Sequence, residues 1–124
     1  MEQNKEPYFV EYSKFIESYK RSEVSGEEVG EVIARLAQYF AMYNMQMVAD
    51  DRRLSLVARD IEGRADEQGK PISSTKAKVY VDATDEANAY RISRAHLQNV
   101  EQMLNSLKSL QKGVLQEYSH LGNS

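Results

Sequence analysis

With 124 residues, 19 acidic against 16 basic side chains and a formal net charge of -3, the chain has the length of one domain. Cysteine is absent, which excludes a disulfide framework and thiolate chemistry. The slight acidity excludes a basic nucleic-acid coat protein, so any anion binding falls to a local patch.

No stretch approaches the roughly 20 apolar residues of a membrane span. The first residues, MEQNKEP, are polar and do not read as a signal peptide. The expectation is a protein with no membrane partner, in the cytoplasm (the host cytoplasm if phage-encoded).

The first predicted element is a short helix over residues 7–21. Pro7 suits a first helical position, where its missing N–H costs nothing. Tyr8, Tyr12, Phe15 and Tyr19 fall on one face, with Phe9 and Ile16 beside them. That face is expected to dock on the longer helices.

A long helix follows over 26–62. Ser25 and Glu28 match a capping box, and nothing breaks the pattern before Gly63. Its length is roughly 55 Å at 1.5 Å per residue. Alternate steps of four and three residues give Val29, Ile33, Leu36, Phe40, Tyr43, Met47, Asp50, Leu54, Val57 and Ile61. A stripe of that period must be buried against other helices. Asp50 is its one charged member. It reads either as a boundary between an assembling half and a ligand-facing half, or as a buried charge paired with Arg53 or Arg94. The methionine-rich stretch Met42, Met45 and Met47 is core by default, and an adaptable partner groove by exception.

Residues 63–74 read as a loop and as the most mobile segment, with turn signals at Gly69 and Pro71. The last element reaches residue 121, and its start is ambiguous. Lys78-Val79-Tyr80-Val81 alternates and is β-branched, as in a short strand over 78–81 followed by a helix capped at Asp82 or Thr84. A helix beginning near Ser74 competes evenly. From Leu97 the apolar seam is clean: Leu97, Val100, Leu104, Leu107, then Val114 and Tyr118. The predicted fold is all-α, a single helical domain of one short helix and a long helical hairpin. Two helices hide only one seam from each other. Met42, Met45, Leu56, Met103 and Leu110 need further cover, which predicts a homo-oligomer joined through the seam of the last helix.

Enzyme signatures are missing. His96 and His120 lack metal-ligand spacing and read as exposed helix residues; Gly26 and Gly30 are not followed by a phosphate-binding Lys-Ser/Thr. Adjacent carboxylates such as Asp50 and Asp51 point about 100° apart on a helix and do not converge. The chain reads as a non-enzyme without metal or cofactor.

One charged constellation remains. Arg52, Arg53, Arg59 and Arg64 lie at the end of the long helix, and Lys70, Lys76 and Lys78 follow in and after the loop. In a hairpin these seven cations gather at the loop end, where guanidinium groups suit phosphate oxygens and Tyr80 offers a surface for a base. The competing reading is a solvated mixed face, because Asp50, Asp51, Asp60, Glu62, Asp66 and Glu67 share the stretch and can pair with the arginines, for instance Arg59 with Glu62.

From about Tyr39 onward the chain resembles the UvsY-type recombination mediators of phages. The likeness rests on Val57-Ala58-Arg59, Gly63-Arg64, the Ser-Thr-Lys-x-Lys run at Ser74 to Lys78, the acidic start Asp82 to Glu86, and Leu107-Lys108-Ser109-Leu110. It implies a small helical protein that assembles into a ring, binds single-stranded DNA and loads a recombinase in place of a single-strand-binding protein. By that likeness the DNA contacts fall on Arg59 and Arg64, and the oligomer-forming helix on Leu97 through Leu121. A structural or assembly protein of a virion or scaffold, with no nucleic-acid role, is the alternative. An adaptor that offers exposed helices to a partner is the third.

Overall fold

The computed structural model describes residues 6–21 and 24–122, with side chains as far as Gly113. Those residues form four α-helices and no strand: α1 (Pro7–Lys20), α2 (Gly26–Glu62), α3 (Ser74–Asp82) and α4 (Asp85–Gly122). The fold is all-α, as the periodicity predicts. No described helix is long and apolar enough to cross a membrane. Packing divides the chain into two compact units: Met1–Ala41 with Gln98–Ser124, and Met42–Leu97. The division falls between residues 41 and 42, nine residues before Asp50 rather than at it.

In the first unit, α1 is held by both long helices. Tyr8 is buried, its ring lies 6.3 Å from that of Tyr39, and its hydroxyl accepts a hydrogen bond from Asn99 Nδ2 at 3.3 Å. One turn later the Arg35 guanidinium donates to the Glu11 carboxylate. That hydrogen bond, and then the Glu11 charge, raise the pKa of Arg35 above its ordinary value. The two pairings run in opposite directions along the sequence, so α1 is antiparallel to the start of α2. Phe15 continues the buried face of α1, while Tyr19 at its end is exposed. The core of this unit is Val29, Val32, Leu36, Val100, Leu104 and Leu107. The helices come close at Gly30, where an added Cβ would meet Gln111 Nε2 at 3.4 Å. The capping box forms as read, with Glu28 N donating to Ser25 Oγ at 3.2 Å.

Leu97, Val100, Leu104 and Leu107 are therefore buried within one chain. Their assignment as the oligomer interface is corrected: a side chain packed against its own protomer has no surface left for a second one. Val114 and Tyr118, assigned to the same interface, lie outside the described side chains.

The second unit has a thinner core, made of Ile61, Ala77, Ala87 and Leu97 with the polar Asp50 and Ser93. Ser93 satisfies its hydroxyl within its own helix, on the carbonyls of Ala89 and Tyr90. His96 stacks on Tyr43 with ring centroids 4.8 Å apart, so it is a half-buried packing residue and not an exposed one. Residues 63–73 are closed by their own hydrogen bonds. Ala65 and Pro71 form an isolated antiparallel bridge. Asp66 anchors the turn: its Oδ1 accepts from the backbone N–H groups of Gln68 and Lys70, both at 2.9 Å. Gly69 takes φ 78°, a left-handed conformation that side chains rarely adopt.

The ambiguous start of the last element resolves into two starts. Ser73 caps α3 through its Oγ, which accepts from Lys76 N at 3.2 Å. Thr84 then caps α4, accepting from Ala87 N at 3.1 Å. The strand over 78–81 is corrected, because those residues belong to α3. A strand needs a neighbouring ladder for its N–H and C=O groups, and the described residues provide none. The helix satisfies those groups internally and buries Ala77. Thr84→Ala is expected to destabilise the chain by about 1 kcal/mol, read by urea unfolding, because the first turn of α4 loses its cap.

Candidate nucleic-acid interface

The seven cations predicted from sequence all lie in the second unit, but they do not act alike. Arg53 is committed. Asp50 occupies a seam position at 5% exposure, and its Oδ1 accepts from Arg53 Nη1 at 3.0 Å and from Gln46 Nε2 at 3.1 Å. A buried carboxylate must be paired and hydrogen-bonded, and these two donors lie one turn either side of it on the same helix. Of the two partners considered for Asp50, Arg53 is the one used. Arg94 stays exposed on α4.

Arg64 is held less firmly. Its Nη2 donates to Asp60 Oδ2 at 2.7 Å, but both side chains are more than half exposed. Such a surface pair is worth about 0–1 kcal/mol, so a phosphate can take the guanidinium at little cost. Arg59 does not pair with Glu62; the carboxylate one residue after it, Asp60, serves Arg64 instead. Arg52 and Arg59 are exposed and make no ion pair among the described residues. They stand seven residues apart, on the side of α2 away from Asp50, Leu54 and Ile61.

On α3, Lys76 and Tyr80 are one turn apart on the solvent face, and Tyr80 is 47% exposed. Lys78 lies on another side of the helix, in a shallow depression with Glu62, Ser74, Ala77 and Val81. Lys70 has its backbone fixed by Asp66 and its side chain in solvent. The α2 arginines and the α3 lysines belong to one unit, and among the described residues no carboxylate is paired with cations of both groups.

Two cations outside the predicted set complete the picture. Arg91 Nη2 donates to the Asp82 carbonyl at 2.6 Å and ties off the end of α3. Arg94 is a further exposed cation, missed because no neighbouring Arg or Lys run marks it. The unit carries nine Lys or Arg and nine Asp or Glu, so it is neutral as a whole. Long-range attraction of a polyanion is weak here, and binding must come from short-range contacts. Among the described residues, no three His, Asp or Glu side chains come together as a metal site.

No family model, curated protein or solved structure matches this chain. The likeness to UvsY-type mediators thus rests on the sequence patterns alone.

Proposed function

We propose that this chain is a self-associating accessory protein that binds single-stranded DNA through the loop and α3. What supports the reading best is Lys76 and Tyr80, one turn apart on the solvent face of a capped helix and without a hydrogen-bond or ion-pair partner among the described residues. A strand laid across that face sets a phosphate on the ammonium and a base on the ring. Lys70, exposed in the preceding loop, adds a further cation, while Lys78 lies on another side of the helix. Recognition of this kind is indifferent to sequence, because every base has a stacking face. On the resemblance to UvsY-type mediators, the bound strand is handed to a recombinase as a single-strand-binding protein leaves.

Fluorescence anisotropy with labelled oligothymidylate tests this. Two phosphate contacts, at Lys70 and Lys76, give a salt slope of about -1.4, at roughly 0.7 per contact on a single strand. Tyr80→Ala should weaken binding by about fivefold or more, since stacking is worth roughly 1–3 kcal/mol per base. A paired variant, Arg59→Ala with Arg64→Ala, reports on the contacts implied by the resemblance. Absence of binding at low salt sinks the reading, as does an unchanged affinity when Lys76 and Tyr80 are both replaced by alanine.

An assembly role without nucleic acid is favoured by a different observation. Met45, Val48 and Leu56 on α2 are 74%, 58% and 58% exposed. A stable oligomer indifferent to oligothymidylate is the result that reading expects.

A further inference from the structure

Seven of the nine large hydrophobic side chains left exposed among the described residues belong to the second unit, and four of those lie on α2: Met42, Met45, Val48 and Leu56. Within this unit their placement on α2 is regular. Steps of three and four residues link Met45, Val48, Arg52, Leu56 and Arg59, with Met42 at the border. At the helical period these five fall within about a quarter of the circumference, on the side away from Asp50, Leu54 and Ile61. All five are exposed. A stripe of that period is a packing face, and apolar side chains gathered on a surface mark a place of contact.

The charges on the stripe have one sign. Arg52 and Arg59 make no ion pair among the described residues. Of the nearest carboxylates, Asp60 already accepts from Arg64. Asp51 is turned about 100° from Arg52. No aromatic ring lies on the stripe.

We infer that this stripe of α2 docks an acidic amphipathic helix of another protein. That helix sets large apolar side chains on Met45, Val48 and Leu56, and carboxylates on Arg52 and Arg59. Charge decides among the occupants. A second copy brings cations against cations, with no carboxylate on the stripe to answer them in any register. A DNA strand suits the guanidinium groups but leaves methionine, valine and leucine uncovered, and the stripe has no ring on which a base can stack. An acidic amphipathic helix meets both demands. It removes the apolar side chains from water and gives each arginine a carboxylate for its planar donors. Met45 adapts its shape to the partner. From Met45 to Arg59 the stripe is about 21 Å long, which a helix of about 15 residues spans. None of its residues is among Lys70, Lys76 and Tyr80, on which the proposed DNA binding rests. A DNA strand and a partner helix therefore draw on different side chains.

Fluorescence anisotropy on the full chain tests the docking, with a labelled synthetic helix of about 15 residues as the probe. The probe carries leucines at three- and four-residue steps, flanked by glutamates seven residues apart to match Arg52 and Arg59. Saturable binding at low salt is the expected result. Changing its glutamates to glutamine should weaken binding about tenfold, and Arg52→Gln with Arg59→Gln should erase that difference. Met45→Ser with Leu56→Ser should abolish binding while circular dichroism shows unchanged helical content. No saturable binding at hundreds of micromolar would overturn the inference, as would equal affinity for the glutamate and glutamine probes. Displacement of the probe by oligothymidylate from the Lys76→Ala, Tyr80→Ala chain would give the face to DNA. A mass of two or more chains by light scattering, falling to 14.2 kDa with Met45→Ser and Leu56→Ser, would give it to a second copy. Lys76→Ala with Tyr80→Ala should leave probe binding unchanged, so the two proposals fail separately.

Discussion

Leu107→Ala is expected to lower the unfolding free energy by about 2–5 kcal/mol. Leu107 is fully buried, with 0% of its surface exposed, in the core formed with Val29, Leu36 and Val100. Truncation removes the transfer free energy of the lost carbons and leaves a cavity whose walls lose their contacts. Helices of 37 and 38 residues relax poorly around such a gap, because moving one side chain moves a whole turn. A domain of this size has about 5–15 kcal/mol in all, so the variant should unfold at distinctly lower urea. The check is urea unfolding followed by circular dichroism. A loss below about 1 kcal/mol would mean that Leu107 is less enclosed than described.

The second large effect concerns Asp50, and it has two opposite signs. Asp50→Leu is expected to stabilise the protein by about 1–3 kcal/mol. It supplies the apolar side chain that the seam lacks, and replacing a buried charge with a packed hydrophobe is often favourable. The released Arg53 side chain is 65% exposed and returns to water at little cost. Arg53→Ala should do the reverse. It leaves a buried carboxylate with Gln46 as its remaining side-chain donor, at a cost of about 1–3 kcal/mol. Melting temperatures of the two variants should therefore move apart from the wild type in opposite directions. A fall in both would show that the Asp50 site has no room for leucine.

Much of this fold is legible in the sequence because its signals are local. Ser25 and Glu28 mark the start of α2, the four-three stripe gives its buried face, and Gly63 marks its end. Every residue of that stripe is buried or half-buried, Asp50 included. The break at Ala83 and Thr84 was harder to see. Ser73 and Thr84 are both good caps, and a sequence shows two competing starts without showing that both are used. The β-branched run at Val79 and Val81 points to a strand, and only the missing ladder decides against it. The candidate site was legible in part. Which residues carry charge is plain, but which cations are consumed is not. Arg53 and Arg64 find carboxylates three and four residues away, while Arg59, with Glu62 three residues on, does not, and Arg52 has no carboxylate at either spacing. The interface assignment went wrong for a related reason. Apolar period locates a buried face without saying whether the same chain or another covers it, and Leu97 through Leu107 are covered by their own chain.

The Tyr43–His96 stack has a consequence for the order of folding. The second unit is one continuous piece of chain, whereas the first is made from its two ends. Residues 42–97 can therefore gather as soon as they leave the ribosome, before the last part of α4 has been made. Once they do, the stack holds Tyr43 and His96 within 4.8 Å, although 52 residues intervene. Closing a loop of that length is an entropic cost that the first unit would otherwise bear. With the inner piece already folded, α1 and the two outer helix segments meet almost as neighbours in sequence, and the slow, long-range step of folding becomes a short-range one.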